Sequence, residues 1–377
     1  MDTSMDRLSD LQGKTALMIT DLADLVSAES FSDDPAGTSA CADRIATIGD
    51  RLLGAQPERL LIGERTHLLW RFGSRTRVLL VGHFDTVWPA GTIVRWPFAV
   101  DGDRATGPGA FDMKSGIVQG LHALSTLDDL DGVVVLFTSD EELGSPTSSA
   151  TIRDLASVAE AALILEPAAQ GALKTERKGV SMYSVEIAGR AAHAGLEPHK
   201  GANALVELAH QVLAISSLAD PDAGTSVTPT IARAGTATNV VPASATIAVD
   251  VRASSLAEQE RIAKAMRALT QHLPGTTIRV DGDENRPPLE TKSSADLFAR
   301  AVRIGDALGI DEVRGVAVGG ASDGNITAAE GCPTLDGLGG AGDGAHAEGE
   351  YAVISQMAPR AALLAGLVEE LQRSDGR

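Results

Sequence analysis

The sequence predicts an α/β protein with a mostly parallel central sheet, helices on both of its faces, and a smaller α+β domain inserted into it. Three observations lead there. Short aliphatic runs recur at Val78-Leu79-Leu80-Val81, Val133-Val134-Val135-Leu136-Phe137 and Ala162-Leu163-Ile164-Leu165, with a helical stretch between the first two. Unbroken apolar runs of this length are strands buried on both faces, as in a parallel sheet covered by its crossover helices. After Pro167 the pattern changes to apolar and polar alternation, the mark of half-exposed antiparallel strands, and polar Asp283-Glu284-Asn285-Arg286-Pro287-Pro288 reads as the crossing that returns the chain.

In chain order, Leu8 to Ala28 carries Leu11, Leu22, Leu25 and Val26 at helical spacing and predicts one helix. Ser115 to Leu127 reads as a helix that opens after Asp112-Met113-Lys114. In the inserted region Ser181 to Ile187 alternates, Asn203 to Leu218 is helical and Ala245 to Val251 alternates again. Gln259 to His272 is a further helix, closed by Pro274-Gly275, and Thr277 to Val280 returns as a strand. This strand-helix-strand-strand-helix-strand order is ferredoxin-like and places the inserted domain at residues 179–283, with a discontinuous larger domain at 1–178 and 284–377. A helix over Ser294 to Leu308, a Gly-rich stretch from Gly319 to Gly344 and a helix from Ser355 to Leu371 complete the chain.

With 377 residues the chain holds about two domains of ordinary size. A net charge of −19 and a pI near 4.8 argue against holding a nucleic-acid backbone or an anionic membrane by bulk charge. Cys41 and Cys332 stand far from any CxxC pattern, which disfavours a disulfide scaffold or a cysteine zinc site and predicts two small buried hydrophobes. Met1 to Arg7 has no basic lead into an apolar stretch, and no apolar run approaches the ~18 residues of a membrane span, so a cytoplasmic, membrane-free protein is the expectation.

The chemistry gathers at strand ends. His83 and Asp85 follow the first strand, two residues apart, where an extended backbone turns both side chains to one face and lets Asp85 hold the imidazole in one tautomer. Asp112 lies in a Gly-flanked loop that opens a helix. Glu141-Glu142 follows the second strand and Glu166 the third. Singly, a His-x-Asp is an ordinary turn, and paired acids are an ordinary solvated loop. Four acid or imidazole groups at successive strand ends stand where α/β proteins build sites, and together they suit zinc or a similar divalent ion. A two-metal site needs a second imidazole, which the run Gly342 to Glu350 at the end of the Gly-rich stretch supplies as His346. No GxGxxG follows the first strand and no GxxxxGK[ST] occurs, which sets aside a nucleotide-binding fold.

These motifs, in this order, resemble the M20 family of metallopeptidases and amidohydrolases. Gly319 to Asn325 and Gly331 to Gly339 most resemble its glutamate carboxypeptidase branch, and the resemblance spans Leu11 to Leu371. It implies a zinc-exopeptidase-type catalytic domain, with the inserted domain as lid and dimerisation domain of a homodimer. It makes Asp112 the carboxylate bridging two divalent ions, most simply zinc, with cobalt or manganese as alternatives. His83 and Glu166 then complete one ion's ligands, Glu142 and His346 the other's, and Glu141 is the general base. His193, within Gly189 to Gly195, resembles the histidine that reaches, usually from a partner subunit, towards the scissile carbonyl. Asn239 and Arg252 match positions that contact the substrate's carboxylate, and Gly320 and Ser322 resemble a backbone-lined pocket for the same group. Arg177 and Lys178 are expected as exposed hinge charges.

The implied activity is hydrolysis of an amide bond beside a free carboxylate in a small amino acid amide or short peptide, releasing a C-terminal glutamate or a similar residue. Deacylation of N-acyl amino acids uses the same residues. A non-catalytic binding protein that keeps the fold is a third alternative, against which stands the presence of competent residues at all six positions: His83, Asp112, Glu141, Glu142, Glu166 and His346.

Overall fold

A computed structural model describes residues 3–310 and 312–373. Its central sheet has six strands in the order Glu58–Ile62, Arg65–Arg71, Val133–Thr138, Val78–His83, Ala161–Ile164 and Thr334–Leu335. The last four run parallel, and Arg65–Arg71 runs antiparallel to both of its neighbours. The strands alternate between two cores. Val78, Leu80, Val133, Val135 and Leu163 pack on one face with Leu11, Leu22, Leu25, Leu121 and Leu364. Leu79, Val81, Val134, Leu136 and Ile164 pack on the other with Ile152, Leu155, Ile326 and Cys332. Helices therefore cover both faces, which is why these strands are apolar throughout.

Several elements differ from expectation. The first helix is two, Thr3–Gly13 and Thr15–Ser27, broken at Lys14, because glycine at the end of the first favours termination over continuation. The helix Pro35–Leu53 and the hairpin Glu58–Ile62 with Arg65–Arg71 are additions, and the helix carries its own punctuation: Asp34 caps it, Pro35 starts it and left-handed Gly54 (φ 67°) ends it. The Gly-rich stretch contains a helix, Asp323–Ala329, and the sixth strand, Thr334–Leu335.

By contact density the chain forms two compact units. One runs to Glu176 and resumes at Leu289–Val318 and Ser322–Arg377; the other comprises Arg177–Pro288 with Gly319–Ala321. The second unit is thus a few residues longer at each end than the range 179–283. Its last strand, Thr277–Arg286, takes up most of the stretch expected as a polar crossing. Its sheet runs Ser226–Ala234, Ser244–Ala253, Gly179–Ala188, Thr277–Arg286, all antiparallel, with helices Ala204–Ser216 and Leu256–Arg267 and its own core around Val185, Ile247, Val251 and Ile262. Among the described residues no helix is long and apolar enough to cross a membrane.

Candidate metal centre

The strands ending at Thr138, His83 and Ile164 are neighbours and run the same way, so their carboxyl ends deliver Glu141-Glu142, His83 and Glu166 to one edge of the sheet. Asp112 comes from the turn Ala110–Lys114 ahead of the helix Ser115–Leu124, opened by Gly109 at φ 72°, where a Cβ would lie 2.5 Å from the Thr86 methyl. His346 sits on a loop in the left-handed backbone region, φ 62°.

These side chains converge. His83 Nε2 lies 3.4 Å from Asp112 Oδ1 and 3.4 Å from Glu166 Oε1. On the opposite oxygen, Asp112 Oδ2 is 3.4 Å from His346 Nε2, which is 2.9 Å from Glu142 Oε1. Asp112 thus presents one oxygen to each of two imidazole and carboxylate pairs. Ligand atoms of His83, Asp112 and Glu142, and likewise of His83, Glu141 and Glu166, lie within 4.8 Å of one another.

The donor chemistry fits cations. His83 Nδ1 is 3.0 Å from the Asp85 carbonyl, which only accepts, so Nδ1 carries the proton and Nε2 turns a lone pair to the carboxylates. Asp112 Oδ1 is buried without a hydrogen-bond donor. Lone pairs facing lone pairs require positive charge between them. Before an ion binds, a proton taken up on Nε2 in place of the lone pair supplies it. Burial opposes the charged form of His83, yet Asp112, Asp85 and Glu166 raise its pKa well above the usual value. Asp112 and Glu142 push His346 up to about 10. Burial works to raise Asp112, but the two imidazoles hold it below the usual carboxylate range. Burial, with Asp112 adding, raises Glu142.

The structure gives Asp85 a wider task than orienting His83. The strand ends at His83, so the imidazole meets the Asp85 backbone carbonyl, with the carboxylate 3.5 Å away. The carboxylate instead accepts the amides of Glu141 (3.1 Å) and Glu142 (3.2 Å) and the Ser32 hydroxyl (2.8 Å), pinning the acidic turn. Asp140 does the same from the other side, accepting the amides and hydroxyls of Thr147 and Ser148. Two neighbours escaped the sequence reading. Lys174 places its ammonium 3.7 Å from Glu166 Oε2, and buried Glu350 accepts the Phe111 amide beside Asp112. Glu350 at least lies four residues after His346, just past the Gly-rich stretch, whereas nothing local marks Lys174.

In the second unit, His193 and Asn239 come together: His193 bridges to Val240, and the Ala194 amide donates to the Asn239 carbonyl at 2.9 Å. Exposed His193 accepts the amides of Gly195 (3.1 Å) and Leu196 (3.2 Å) on Nδ1, which leaves its proton on Nε2. Arg252 is held in a fork by Asp250, with both contacts at 2.9 Å. Arg177 is not the exposed charge expected at the crossing. It is 4 % exposed and donates to the Gly320 carbonyl at 3.0 Å, while Lys178 donates to the Gly224 carbonyl. The Ser322 hydroxyl is likewise committed, donating to Asp336 (2.6 Å) and accepting the Gly324 amide as a helix cap, so it is not a free group for a ligand. Cys41 and Cys332 are both buried.

The family description "Peptidase family M20/M25/M40" matches residues 79–370. The chain belongs to this family. This M20 chain is 32% identical over 373 residues to carboxypeptidase G2 of Pseudomonas sp. (strain RS-16), covering 94% of this chain and 89% of that protein. It is 30% identical over 248 residues to the succinyl-diaminopimelate desuccinylase of Caulobacter vibrioides, covering 60% of this chain and 64% of the other. Among solved structures it shares the fold of aminopeptidase PepT from Bacillus cereus (TM-score 0.77, 19% identity, 95% of this chain and 99% of that one) and of the M20 metallo-carboxypeptidase Sso-CP2 from Sulfolobus solfataricus (TM-score 0.72, 15% identity, 94% and 99%). As an M20 peptidase it is a hydrolase.

Proposed function

We propose that this M20 hydrolase cleaves an amide bond adjacent to a free carboxylate and releases a C-terminal glutamate or a similar amino acid, using two divalent ions, zinc in the first place. The observation that carries this is Asp112, whose two oxygens face two separate imidazole and carboxylate pairs with Glu141 beside them. His83, Asp112 and Glu166 would hold one ion, and Asp112, Glu142 and His346 the other. When bound, such ions polarise the amide carbonyl and acidify water.

The residues supply the rest. Glu141, its backbone tied to Asp85, takes the proton from the attacking water and passes it to the leaving nitrogen. His193, protonated on Nε2, is suited to donate to the developing oxyanion, in the family manner from a partner subunit of a homodimer. Arg252 and Asn239 bind the substrate carboxylate; Arg252 keeps N–H donors beyond the two that Asp250 engages. Similarity to carboxypeptidase G2 along nearly the whole chain favours the carboxypeptidase reading, and the shorter similarity to desuccinylases supports N-acyl amino acid deacylation as the second.

A hydrolysis screen tests this. With the acyl group fixed and the C-terminal residue varied, glutamate amides are expected to be cleaved fastest, with activity lost to a chelator and restored by zinc. Indifference to the amino acid together with strong dependence on the acyl group would overturn the carboxypeptidase reading in favour of the deacylase.

A further inference from the structure

Glu350 is completely buried, and both of its oxygens are engaged. Oε1 accepts the Phe111 amide at 3.1 Å and Oε2 accepts the Trp88 indole N–H at 2.9 Å. Phe111 directly precedes Asp112, while Glu350 itself sits on the His346 loop, its amide bonded to the Ala347 carbonyl at 3.1 Å. One carboxylate therefore fastens the turn that presents Asp112 to the loop that presents His346. Trp88 steadies that carboxylate, and it is itself packed edge-on against Trp96 with ring centroids 5.0 Å apart. The loop of His346 is closed at its base by the pairing of Gly342–Asp343 with Tyr351–Val353, while its left-handed, half-exposed tip is left to side-chain contacts of this kind.

A buried carboxylate is a costly way to join two loops unless two donors must be met by two acceptors. Glutamine offers one acceptor and would set its amino group against the remaining N–H. We propose that Glu350 is a positioning residue for the His346 half of the centre, with the Trp88, Glu350 and Phe111 chain setting the separation of Asp112 from His346. This rests on the two-ion reading of the site.

The test is competition of zinc or cobalt(II) against a chromophoric chelator, alongside thermal unfolding of the metal-free protein. Glu350→Gln is expected to weaken one of the two binding steps about 10- to 100-fold. Adding Trp88→Phe removes the indole N–H that the new amide would face and should restore most of that affinity. A merely structural lesion would not be rescued by a second one. Unchanged affinity in Glu350→Gln, a loss that the double variant deepens, or a drop only in metal-free stability would overturn the proposal while leaving the two-ion reading intact. Wild-type protein that takes up no divalent ion would overturn both.

Discussion

The two halves of the candidate centre are built differently. His83 is 2 % exposed at the end of a strand in the middle of the sheet, with Glu166 at the end of the next, so the hydrophobic core places both. His346 is 51% exposed on a loop that backbone pairing of Gly342–Asp343 with Tyr351–Val353 closes at its base, and the placement of its tip depends on contacts made by single side chains. Ligands on core strands inherit the rigidity of packing, whereas a ligand on a loop needs braces of its own. The halves should therefore differ in how tightly they hold an ion, with Asp112 shared between them.

Substituting the shared residue should have the largest effect. Asp112→Asn is expected to lower turnover at least about 10³-fold and to reduce the metal content of both halves, read by atomic absorption; two retained ions would break the picture of a common bridge. Next, Glu141→Gln should cost about 10² to 10⁴ in turnover with metal content unchanged, which separates the chemistry from ligation. His346→Ala should lose one ion and keep the other, while His83→Ala loses the tighter one. If stepwise chelation of the wild type shows two equal sites, the difference between the halves does not exist.

The smallest effect concerns the bracing of the acidic turn that carries Glu141 and Glu142. Burial alone would raise Asp140, but donors from Ser148 and Thr147 hold its pKa below the usual value. A lowered native pKa contributes stability above the unfolded-state value and loses it as pH falls through the native one. Asp140→Asn should therefore cost about 2 kcal/mol near neutral pH, and the gap to wild type should close below about pH 4 in denaturant titrations. A constant gap across that range would remove Asp140 from the brace.

Sequence reading reaches the strand-borne half of the centre more readily than its supports. Val78–His83, Val133–Thr138 and Ala161–Ile164 are legible because doubly buried strands are uninterrupted apolar runs and their ligands follow at once. The hairpin Glu58–Ile62 with Arg65–Arg71 is illegible to the same rule, since Arg59, His67 and Arg71 interrupt it: Arg59 lies on the edge strand, Arg71 is exposed at a strand end, and buried His67 is met by the Thr147 hydroxyl and the Ser139 amide, both distant in the chain. Glu350 is illegible because its partners lie 239 and 262 residues away in the chain. Arg177 reads as a hinge charge for a similar reason, its carbonyl partner being 143 residues distant. Two-residue motifs can nominate ligands, but what holds them is written in pairs that no local window contains.

The second unit leaves and re-enters the chain through adjacent strands: Val180 is paired with Arg286, and Gly179 packs against Pro288. Its two ends are therefore about one interstrand spacing apart, near 5 Å. As an unstructured tether, this long excursion between Glu166 and His346 would impose a loop-closure entropy of about 4 kcal/mol on gathering the ligands. Once the excursion has folded on its own core, it presents itself to the rest of the chain as a turn, and the cost of closure has already been met within it. Folding of the insertion thereby shortens, in entropic terms, the distance between the two halves of the centre.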